Sequence, residues 1–264
     1  MDFVVVIPAR FASTRLPGKP LLDIAGKTLI QHVYERGLAC DAQEVIIATD
    51  DERIRDVALG FGAQVCMTSP THQSGTDRIA EVVKQRGYGD EQIIVNLQGD
   101  EPLIPLTLLH QVAENLHEHA CASIATLCEE IENPLDVFNP NLVKVVTDKK
   151  GYALYFSRAP LPWERDGGAE WGKTQLAVKL PHYRHIGLYA YRARFLNEYT
   201  TWSACGLEQA EALEQLRALW HGHKIHVAKA VAPSVIGVDT QADLDKVRML
   251  LAAQLTHDDL NRVR

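Results

Sequence analysis

A cluster of cations follows the first apolar segment of the chain. The segment Pro8-Ala9-Arg10-Phe11-Ala12-Ser13-Thr14-Arg15-Leu16-Pro17-Gly18-Lys19-Pro20 carries Arg10, Arg15 and Lys19 close together. An arginine can donate two parallel hydrogen bonds to phosphate oxygens, and a lysine supplies a compact positive charge. The pattern indicates a binding site for a polyphosphate, and a solvated basic loop is the alternative interpretation.

Two acidic residues could supply ligands for a divalent cation. Asp100 follows the apolar run Ile93-Ile94-Val95 within the segment Asn96-Leu97-Gln98-Gly99-Asp100-Glu101-Pro102, and Asp239 precedes a predicted helix. Magnesium prefers one or two carboxylates together with substrate phosphates. Asp100 and Asp239 are therefore a candidate magnesium site. For Asp239 alone a helix cap is an equally good interpretation, since an aspartate at this position accepts hydrogen bonds from the first amides of a helix.

Three further segments combine polar and aromatic side chains that suit an acidic, hydroxylated ligand. The segment from His72 to Arg78 begins a predicted helix, whose amide donors attract anions, although the same pattern also describes an ordinary capped helix. The segments from Tyr155 to Arg158 and from His182 to Tyr189 add arginine, histidine and tyrosine donors. The histidines lack cysteine or carboxylate partners at ligand spacing, which argues against a zinc site.

Other functional classes are disfavoured by composition and by missing motifs. No Gly-x-Gly-x-x-Gly follows the first strand, which argues against a dinucleotide-binding dehydrogenase, and Leu21 stands where a P-loop ending at Thr28 needs glycine. The formal charge of -7 argues against nucleic acid as a partner. The amino-terminal apolar run ends at Pro8, too short for a signal sequence or a membrane span, which predicts a cytoplasmic protein without a membrane partner.

The candidate residues must be positioned by alternating strands and helices. Runs rich in Val and Ile, typical of strands buried on both faces, lie at 4–7, 44–48, 64–67 and 92–97, and helical spacing marks 28–39, 51–61 and 75–86. This alternation predicts an α/β fold with a doubly wound, mixed, mainly parallel sheet flanked by helices, which binds ligands at the carboxyl ends of its strands. The length of 264 residues suits one domain, residues 1–264.

The second half of the chain predicts additional strands around this sheet. A helix is expected at 105–117, followed by strands at 122–127, 143–147, 153–157 and 186–191 that add mixed pairing and subunit contacts. A helix at 207–221, a strand at 225–230 and a helix that begins near Thr240 complete the prediction.

Together these segments resemble the 3-deoxy-manno-octulosonate (Kdo) cytidylyltransferase family, from about Phe3 to about Arg248. The opening Ile7-Pro8-Ala9-Arg10 is also similar to sialic-acid cytidylyltransferases, whereas the segments 13–20 and 72–78 resemble the Kdo branch. The resemblance implies a nucleotide-diphospho-sugar transferase-like fold with a smaller dimerisation part. It also implies CTP and Kdo as substrates, magnesium as cofactor, a homodimer, and a product used in lipopolysaccharide synthesis.

The resemblance assigns roles to individual residues. The catalytic set is Arg10, Arg15, Lys19, Asp100 and Asp239, with both aspartates on magnesium. Nucleotide contacts are expected from Pro8, Ala9, Arg10, Arg15, Lys19, Ser74 and Gln98. Sugar contacts are expected from Arg78, Gln98, Arg158, His185 and Tyr189, together with Glu211, Glu214 or Gln215. Cytidylyltransferases for 8-amino-Kdo or sialic acid, and a non-catalytic nucleotide-binding module, stay open as alternatives.

Overall fold

A mixed β-sheet flanked by helices forms the centre of the molecule in the computed structural model. The structure describes residues 1–12, 16–72, 74–165, 180–235 and 237–262, and for residues 253–262 it describes the backbone alone. The strands are β1 (Phe3–Ala9), β2 (Asp23–Ile24), β3 (Lys27–Thr28), β4 (Glu44–Thr49), β5 (Gln64–Met67), β6 (Ile93–Asn96), β7 (Ile124–Glu130), β8 (Lys144–Thr147), β9 (Ala153–Ser157), β10 (Tyr183–Arg192) and β11 (Ile225–Lys229). The helices are α1 (Leu29–Leu38), α2 (Glu52–Gly60), α3 (Gly75–Arg86), α4 (Leu106–Glu118), α5 (Ala193–Tyr199), α6 (Gly206–Glu211), α7 (Gln215–Trp220) and α8 (Gln241–Arg262).

The main sheet combines a parallel half with an antiparallel branch. Its order is β11-β7-β10-β6-β1-β4-β5, and β8 and β9 attach to it through β10. β1 pairs in parallel with β4 and β6, β4 with β5, and β11 with β7, whereas β10 runs antiparallel to β6 and β7. The predicted mixed sheet with flanking helices is confirmed, while the single domain over residues 1–264 stays a prediction.

Successive residues of β1 face two different hydrophobic cores. Phe3, Val5 and Ile7 pack in a cluster with apolar residues of α1, α2, α4 and α8. Val4 and Val6 pack in a second cluster with residues of α3, α5 and α7. Because side chains alternate along a strand, this division places helices on both faces of the sheet, which is the predicted doubly wound arrangement. No helix of the described residues is both long and apolar enough to cross a membrane.

The helix predicted at 207–221 is interrupted, and the interruption lies next to the candidate site. Two short helices, α6 and α7, are separated at Ala212, whose φ of 51° lies in the left-handed region. The Glu211 carboxylate accepts hydrogen bonds from Ser157 Oγ at 2.6 Å and the Arg158 amide at 2.9 Å. The break therefore lets Glu211 bind the end of β9 while Glu214 turns toward α3. Both helices share the apolar spacing of one helix, so periodicity does not reveal the break.

The buried His226, near the start of β11, stacks on the partly buried His119 and predicts loss of stability in mild acid. The rings of His226 and His119 stack with centroids 3.5 Å apart, and His226 is 7% exposed. Burial, with a smaller contribution from His119, lowers the pKa of His226 to about 4. An unfolded histidine takes up its proton near pH 6.5, so between these values the unfolded chain binds more protons. The free energy of unfolding therefore decreases as pH falls from about 6.5 toward 4.

The expected contribution of His226 is a loss of about 2 kcal/mol between pH 7.5 and pH 5. Urea denaturation of the wild type and of His226→Phe at both pH values measures this contribution. The decrease in the free energy of unfolding should be smaller in the variant by about that amount. Replacing the exposed His117 with glutamine is the matched control and should leave the loss unchanged. Equal losses in wild type and His226→Phe would contradict the prediction.

Candidate active site

The carboxyl ends of β1 and β6 bring two predicted motifs together. β1 and β6 are parallel neighbours, with Val6 opposite Asn96, so Pro8 to Arg10 leave the sheet beside Gln98 to Asp100. Gly99 allows this approach, because a Cβ atom at its position would lie 2.8 Å from the Pro8 carbonyl oxygen. Only glycine can pack its backbone this closely without displacing the neighbouring strand.

Asp239 joins this edge of the sheet through a backbone contact. The Val238 amide donates a hydrogen bond of 2.8 Å to the Asp100 carbonyl oxygen. The capping contacts of α8 come from Thr240 and Asp243 instead: the Asp243 carboxylate accepts from the Thr240 amide at 2.9 Å, and the Asp243 amide donates to Thr240 Oγ1 at 3.3 Å. The helix-cap interpretation of Asp239 is therefore not needed, and its carboxylate contacts Lys19.

Lys19 binds both predicted magnesium ligands at once. Its ammonium lies 2.7 Å from Asp100 Oδ2 and 3.2 Å from Asp239 Oδ1, and its side chain is 15% exposed. Lys19 begins a short 3₁₀ helix, Lys19–Leu21, directly after Gly18, whose φ of 67° is left-handed. The turn at Gly18 thus directs the lysine toward the two aspartates. Two carboxylates that share one cation form a site of the type a divalent metal also uses.

Arg10 lies in one cavity with Lys19 and the two aspartates, and its side chain is hydrogen-bonded to a neighbouring loop. Its Nη2 donates to the His72 carbonyl oxygen at 2.8 Å. The cavity has a volume of about 350 Å³ and is lined by Pro8, Ala9, Arg10, Ala12, Lys19, Pro20, Gly75, Gln98, Gly99, Asp100 and Asp239. We call it the phosphate cavity. It unites the predicted phosphate and metal residues except Arg15, which lies outside the described residues.

A second cavity of about 390 Å³ adjoins the phosphate cavity and shares Gly75 and Gln98 with it. Polar side chains dominate one part of its wall: Thr76, Asn96, Gln98, Glu101, Tyr189, Tyr191, Glu214 and Gln215. We call it the hydroxyl cavity. Thr76 Oγ1 donates to Glu214 Oε2 at 2.9 Å, and desolvation by burial raises the pKa of Glu214 above its usual value. Among the predicted sugar residues, this cavity contains Gln98, Tyr189, Glu214 and Gln215.

Glu101 is a buried carboxyl group at the junction of the metal residues and the hydroxyl cavity. Desolvation, followed by repulsion from Asp100, raises its pKa to about 8. Its Oε2 atom is buried and makes no hydrogen bond among the described residues. Glu101 is therefore largely protonated at neutral pH, and the negative charge at this edge of the sheet comes from Asp100 and Asp239.

Ser74 caps α3 beside the two cavities. Its Oγ accepts a hydrogen bond from the Asp77 amide at 3.0 Å and contacts the Asp77 carboxylate at 2.9 Å. The neighbouring Gly75 lines both cavities, whereas Ser74 lines neither. The capped-helix interpretation of this segment is thus correct in the structure, and a nucleotide contact by Ser74 stays a prediction.

The structure does not support the predicted sugar contact of Arg78. Its side chain is fully buried, and its guanidinium donates to Thr68 Oγ1 and, at 2.9 Å, to Asp50 Oδ2. A buried arginine needs such a carboxylate because an uncompensated charge in the interior is costly. Arg78 therefore fixes α3 to the end of β4 rather than facing either cavity.

Three other predicted sugar residues form the structure behind the hydroxyl cavity and do not line it. The Arg158 guanidinium donates to the carbonyl oxygens of Glu211 at 2.7 Å and Pro140 at 2.9 Å, and Glu211 binds Ser157 and the Arg158 amide as described above. His185 shares a 3.0 Å hydrogen bond with Thr126 Oγ1, and desolvation lowers its pKa to about 3, which leaves the ring neutral. Its ring centroid lies 5.2 Å from that of Tyr189, so it supports a residue of the cavity.

Several residues that line the hydroxyl cavity are not predicted from the sequence, among them Thr76, Asn96, Glu101 and Tyr191. Of these four, Tyr191 lies on a strand whose pattern is recognised. The first three lie within motifs already identified around Ser74 and Asp100. Tyr191 stands two residues after Tyr189 on β10, and residues two apart on a strand share a face. Strand alternation could therefore have identified Tyr191, whereas the inward direction of Asn96 depends on the neighbouring strands.

Comparison with known sequences places these features in a family context. A family model described as cytidylyltransferase matches residues 4–225. The 3-deoxy-manno-octulosonate cytidylyltransferase of Aliivibrio salmonicida is 58% identical over 252 residues, covering 96% of this chain and 100% of that protein. The enzyme of the same name from Aeromonas hydrophila subsp. hydrophila is 58% identical over 257 residues, with the same coverage.

Solved structures with a similar fold include two cytidylyl-group enzymes by name. CMP:2-keto-3-deoxy-manno-octonic acid synthetase complexed with CTP superposes with a TM-score of 0.86 at 43% identity, covering 96% of this chain and 100% of that chain. A 4-diphosphocytidyl-2C-methyl-D-erythritol synthase from Anaerococcus prevotii superposes with a TM-score of 0.59 at 13% identity, covering 95% and 99% of the two chains. The second match shows a shared fold alone.

Proposed function

This chain belongs to the 3-deoxy-manno-octulosonate cytidylyltransferase family, and we propose that it transfers the cytidylyl group of CTP to Kdo and releases pyrophosphate. The supporting observation is the junction of the two cavities at Gln98 and Gly75. One cavity presents Arg10 and Lys19, which suit a triphosphate, and the other presents acceptors and hydroxyls that suit a polyhydroxylated sugar. A reaction between the two ligands requires such neighbouring sites.

In the proposed reaction, the anomeric hydroxyl of Kdo attacks the α-phosphorus of CTP. A bond forms between the sugar oxygen and phosphorus, the bond from phosphorus to the bridging oxygen of pyrophosphate breaks, and the hydroxyl proton is released. Arg10 and Lys19 bind the triphosphate and neutralise charge that develops on the leaving pyrophosphate. Gln98, at the boundary of the cavities, orients both reactants, and this positioning lowers the barrier.

The carboxylates of Asp100 and Asp239 fit the magnesium ion that we propose as cofactor. They already bind one cation together, since Lys19 contacts both within 3.2 Å. Two carboxylates with substrate phosphates are the ligand set that magnesium prefers. When bound, magnesium neutralises phosphate oxygens and lowers the pKa of a coordinated hydroxyl. Lys19 then exchanges its contacts with the aspartates for contacts with phosphate oxygens.

We also propose that the protein acts as a cytoplasmic homodimer that supplies lipopolysaccharide synthesis. The resemblance to the family supports these three assignments. Strands β8 and β9 offer a surface for the dimer contact, since Leu154 on β9 is apolar and 63% exposed. Size-exclusion chromatography with light scattering tests the dimer, and a monomeric mass at micromolar concentration would contradict it.

Glu214 is expected to contribute to sugar binding, and Glu211 is not. Replacing Glu214 with glutamine removes a carboxyl group from the hydroxyl cavity and should raise KM for Kdo about tenfold, while KM for CTP stays the same. Glu211→Gln is the matched comparison: it weakens the contacts to Ser157 and Arg158 and should lower Tm without changing KM for Kdo. Steady-state kinetics and thermal unfolding measure both variants, and the reverse pattern would contradict the assignment.

Phosphorus NMR of a reaction mixture tests the proposed chemistry. Purified protein with CTP, Kdo and magnesium is expected to produce a phosphodiester, CMP-Kdo, and pyrophosphate in equal amounts. Formation of CDP and a sugar phosphate would instead indicate phosphoryl transfer. Absence of any product would favour the alternative of a non-catalytic nucleotide-binding module.

A further inference from the structure

A carboxylate on the far side of α3 organises the loop that holds Arg10. Glu81 Oε2 accepts a hydrogen bond from the Ser69 amide at 2.8 Å and another from the His72 ring nitrogen Nε2 at 2.5 Å. Gln85 Nε2 donates to Glu81 Oε1 at 2.8 Å and fixes the carboxylate in turn. Glu81 therefore binds the segment 69–72 at both of its ends.

The segment 69–72 contacts Arg10 of the phosphate cavity through its last residue, His72. The His72 side chain contacts Glu81, and the His72 carbonyl oxygen accepts the hydrogen bond of 2.8 Å from Arg10 Nη2. Glu81 and His72 line a separate cavity of about 640 Å³ between α3 and α5, and neither lines the phosphate cavity. A continuous chain of contacts thus connects Glu81 to Arg10, although Glu81 lines neither the phosphate cavity nor the hydroxyl cavity.

The charge of Glu81 suits this structural role. Desolvation opposes ionisation, but hydrogen bonds from the Ser69 amide, His72 and Gln85 hold the pKa of Glu81 below its usual value. An ionised carboxylate makes stronger hydrogen bonds than a neutral acceptor. The loop is therefore fixed by charge-assisted contacts, and its carbonyl oxygen can hold the long Arg10 side chain in one orientation.

We propose that Glu81 is a positioning residue for CTP: through His72 it fixes the Arg10 guanidinium in the orientation that binds the triphosphate. This inference rests on the proposed function, in which Arg10 contacts phosphate. An arginine side chain has many rotamers, and ordering it on binding weakens affinity. Orienting Arg10 before CTP arrives removes much of that loss.

Steady-state kinetics of Glu81→Ala test the inference. We expect KM for CTP to rise about tenfold, with KM for Kdo unchanged and kcat reduced less than KM is raised. A purely structural role would lower the active fraction and hence kcat, and would leave KM for CTP unchanged. The matched control is Glu44→Ala, which removes another partly exposed carboxylate that pairs with Tyr88 and Arg86 and lies outside both cavities.

A double-mutant cycle with Arg10→Ala identifies the route of the effect. If Glu81 acts through Arg10, adding Glu81→Ala to Arg10→Ala raises KM for CTP less than twofold. A further tenfold rise in that background, or an unchanged KM in Glu81→Ala alone, would overturn the inference. If Arg10→Ala itself leaves KM for CTP unchanged, the phosphate role of Arg10 fails together with the inference. Should Glu81→Ala not fold, Glu81→Gln enters the same cycle under the same criteria.

Discussion

Asp100→Asn is expected to lower turnover on the order of a thousandfold, the largest effect of a single substitution in this site. Asp100 is the closer of the two carboxylates that bind Lys19, at 2.7 Å, and its backbone carbonyl also accepts the bond that positions Asp239. The substitution removes charge from the metal site and releases Lys19, while the backbone contact is retained. The protein should therefore fold normally and lose magnesium-dependent activity.

Initial rates across a magnesium titration measure this effect. Asp239→Asn should show a smaller loss than Asp100→Asn, because the Asp239 carboxylate is more exposed, at 47% against 28%, and lies farther from Lys19. Asp245→Asn is the matched control, since Asp245 is an exposed residue of α8 that pairs with Arg248. Near-native activity of Asp100→Asn at ordinary magnesium concentrations would contradict the assignment of Asp100 as a metal ligand.

Lys19→Met is expected to change two measurements in opposite directions. Turnover should fall on the order of a hundredfold, because a donor directed at developing negative charge is lost. The affinity of the nucleotide-free protein for magnesium should rise roughly tenfold, because the ammonium that now neutralises Asp100 and Asp239 is gone. Loss of a lysine that lies away from the two aspartates predicts no gain of metal affinity, so the second effect reports on the observed ion pairs.

Isothermal titration calorimetry with magnesium, in the absence of CTP, measures the affinity of wild type and Lys19→Met. Lys27→Met is the matched control: Lys27 is an exposed lysine that pairs with Glu35, and its loss should change neither turnover nor magnesium affinity. A magnesium affinity of Lys19→Met equal to or weaker than that of the wild type would contradict the proposed competition between Lys19 and the metal for the two carboxylates.

The sequence predicts the sheet and the phosphate cavity well because both depend on local patterns. Buried strands appear as runs of Val and Ile, and parallel strands end at a common edge, so motifs after β1 and β6 must converge. Arg10, Lys19, Gln98 and Asp100 can therefore be placed together by sequence patterns alone. The ion pair between Lys19 and Asp239 cannot be placed in this way, since it depends on Val238, from the distant end of the chain, donating to the Asp100 carbonyl oxygen.

The hydroxyl cavity is predicted less well because its walls depend on packing between distant segments. Arg78 and Glu214 both have ionisable side chains near α3, yet Arg78 is buried against Asp50 while Glu214 faces the hydroxyl cavity. Residue type does not distinguish these two outcomes. The left-handed Ala212 illustrates the same limit, since alanine favours helix and nothing in the local sequence requires a break there.

The phosphate cavity and the hydroxyl cavity meet at Gln98, which implies that activity requires CTP and an acidic sugar together. Sugar-dependent release of pyrophosphate tests this claim most directly. Purified protein would be incubated with CTP and magnesium together with Kdo, 8-amino-Kdo, sialic acid or no sugar. We expect rapid release of pyrophosphate with Kdo and background release without sugar. Preference for another acidic sugar would keep the mechanism and change the substrate, whereas background release with every sugar would contradict the assignment of this protein as an active cytidylyltransferase.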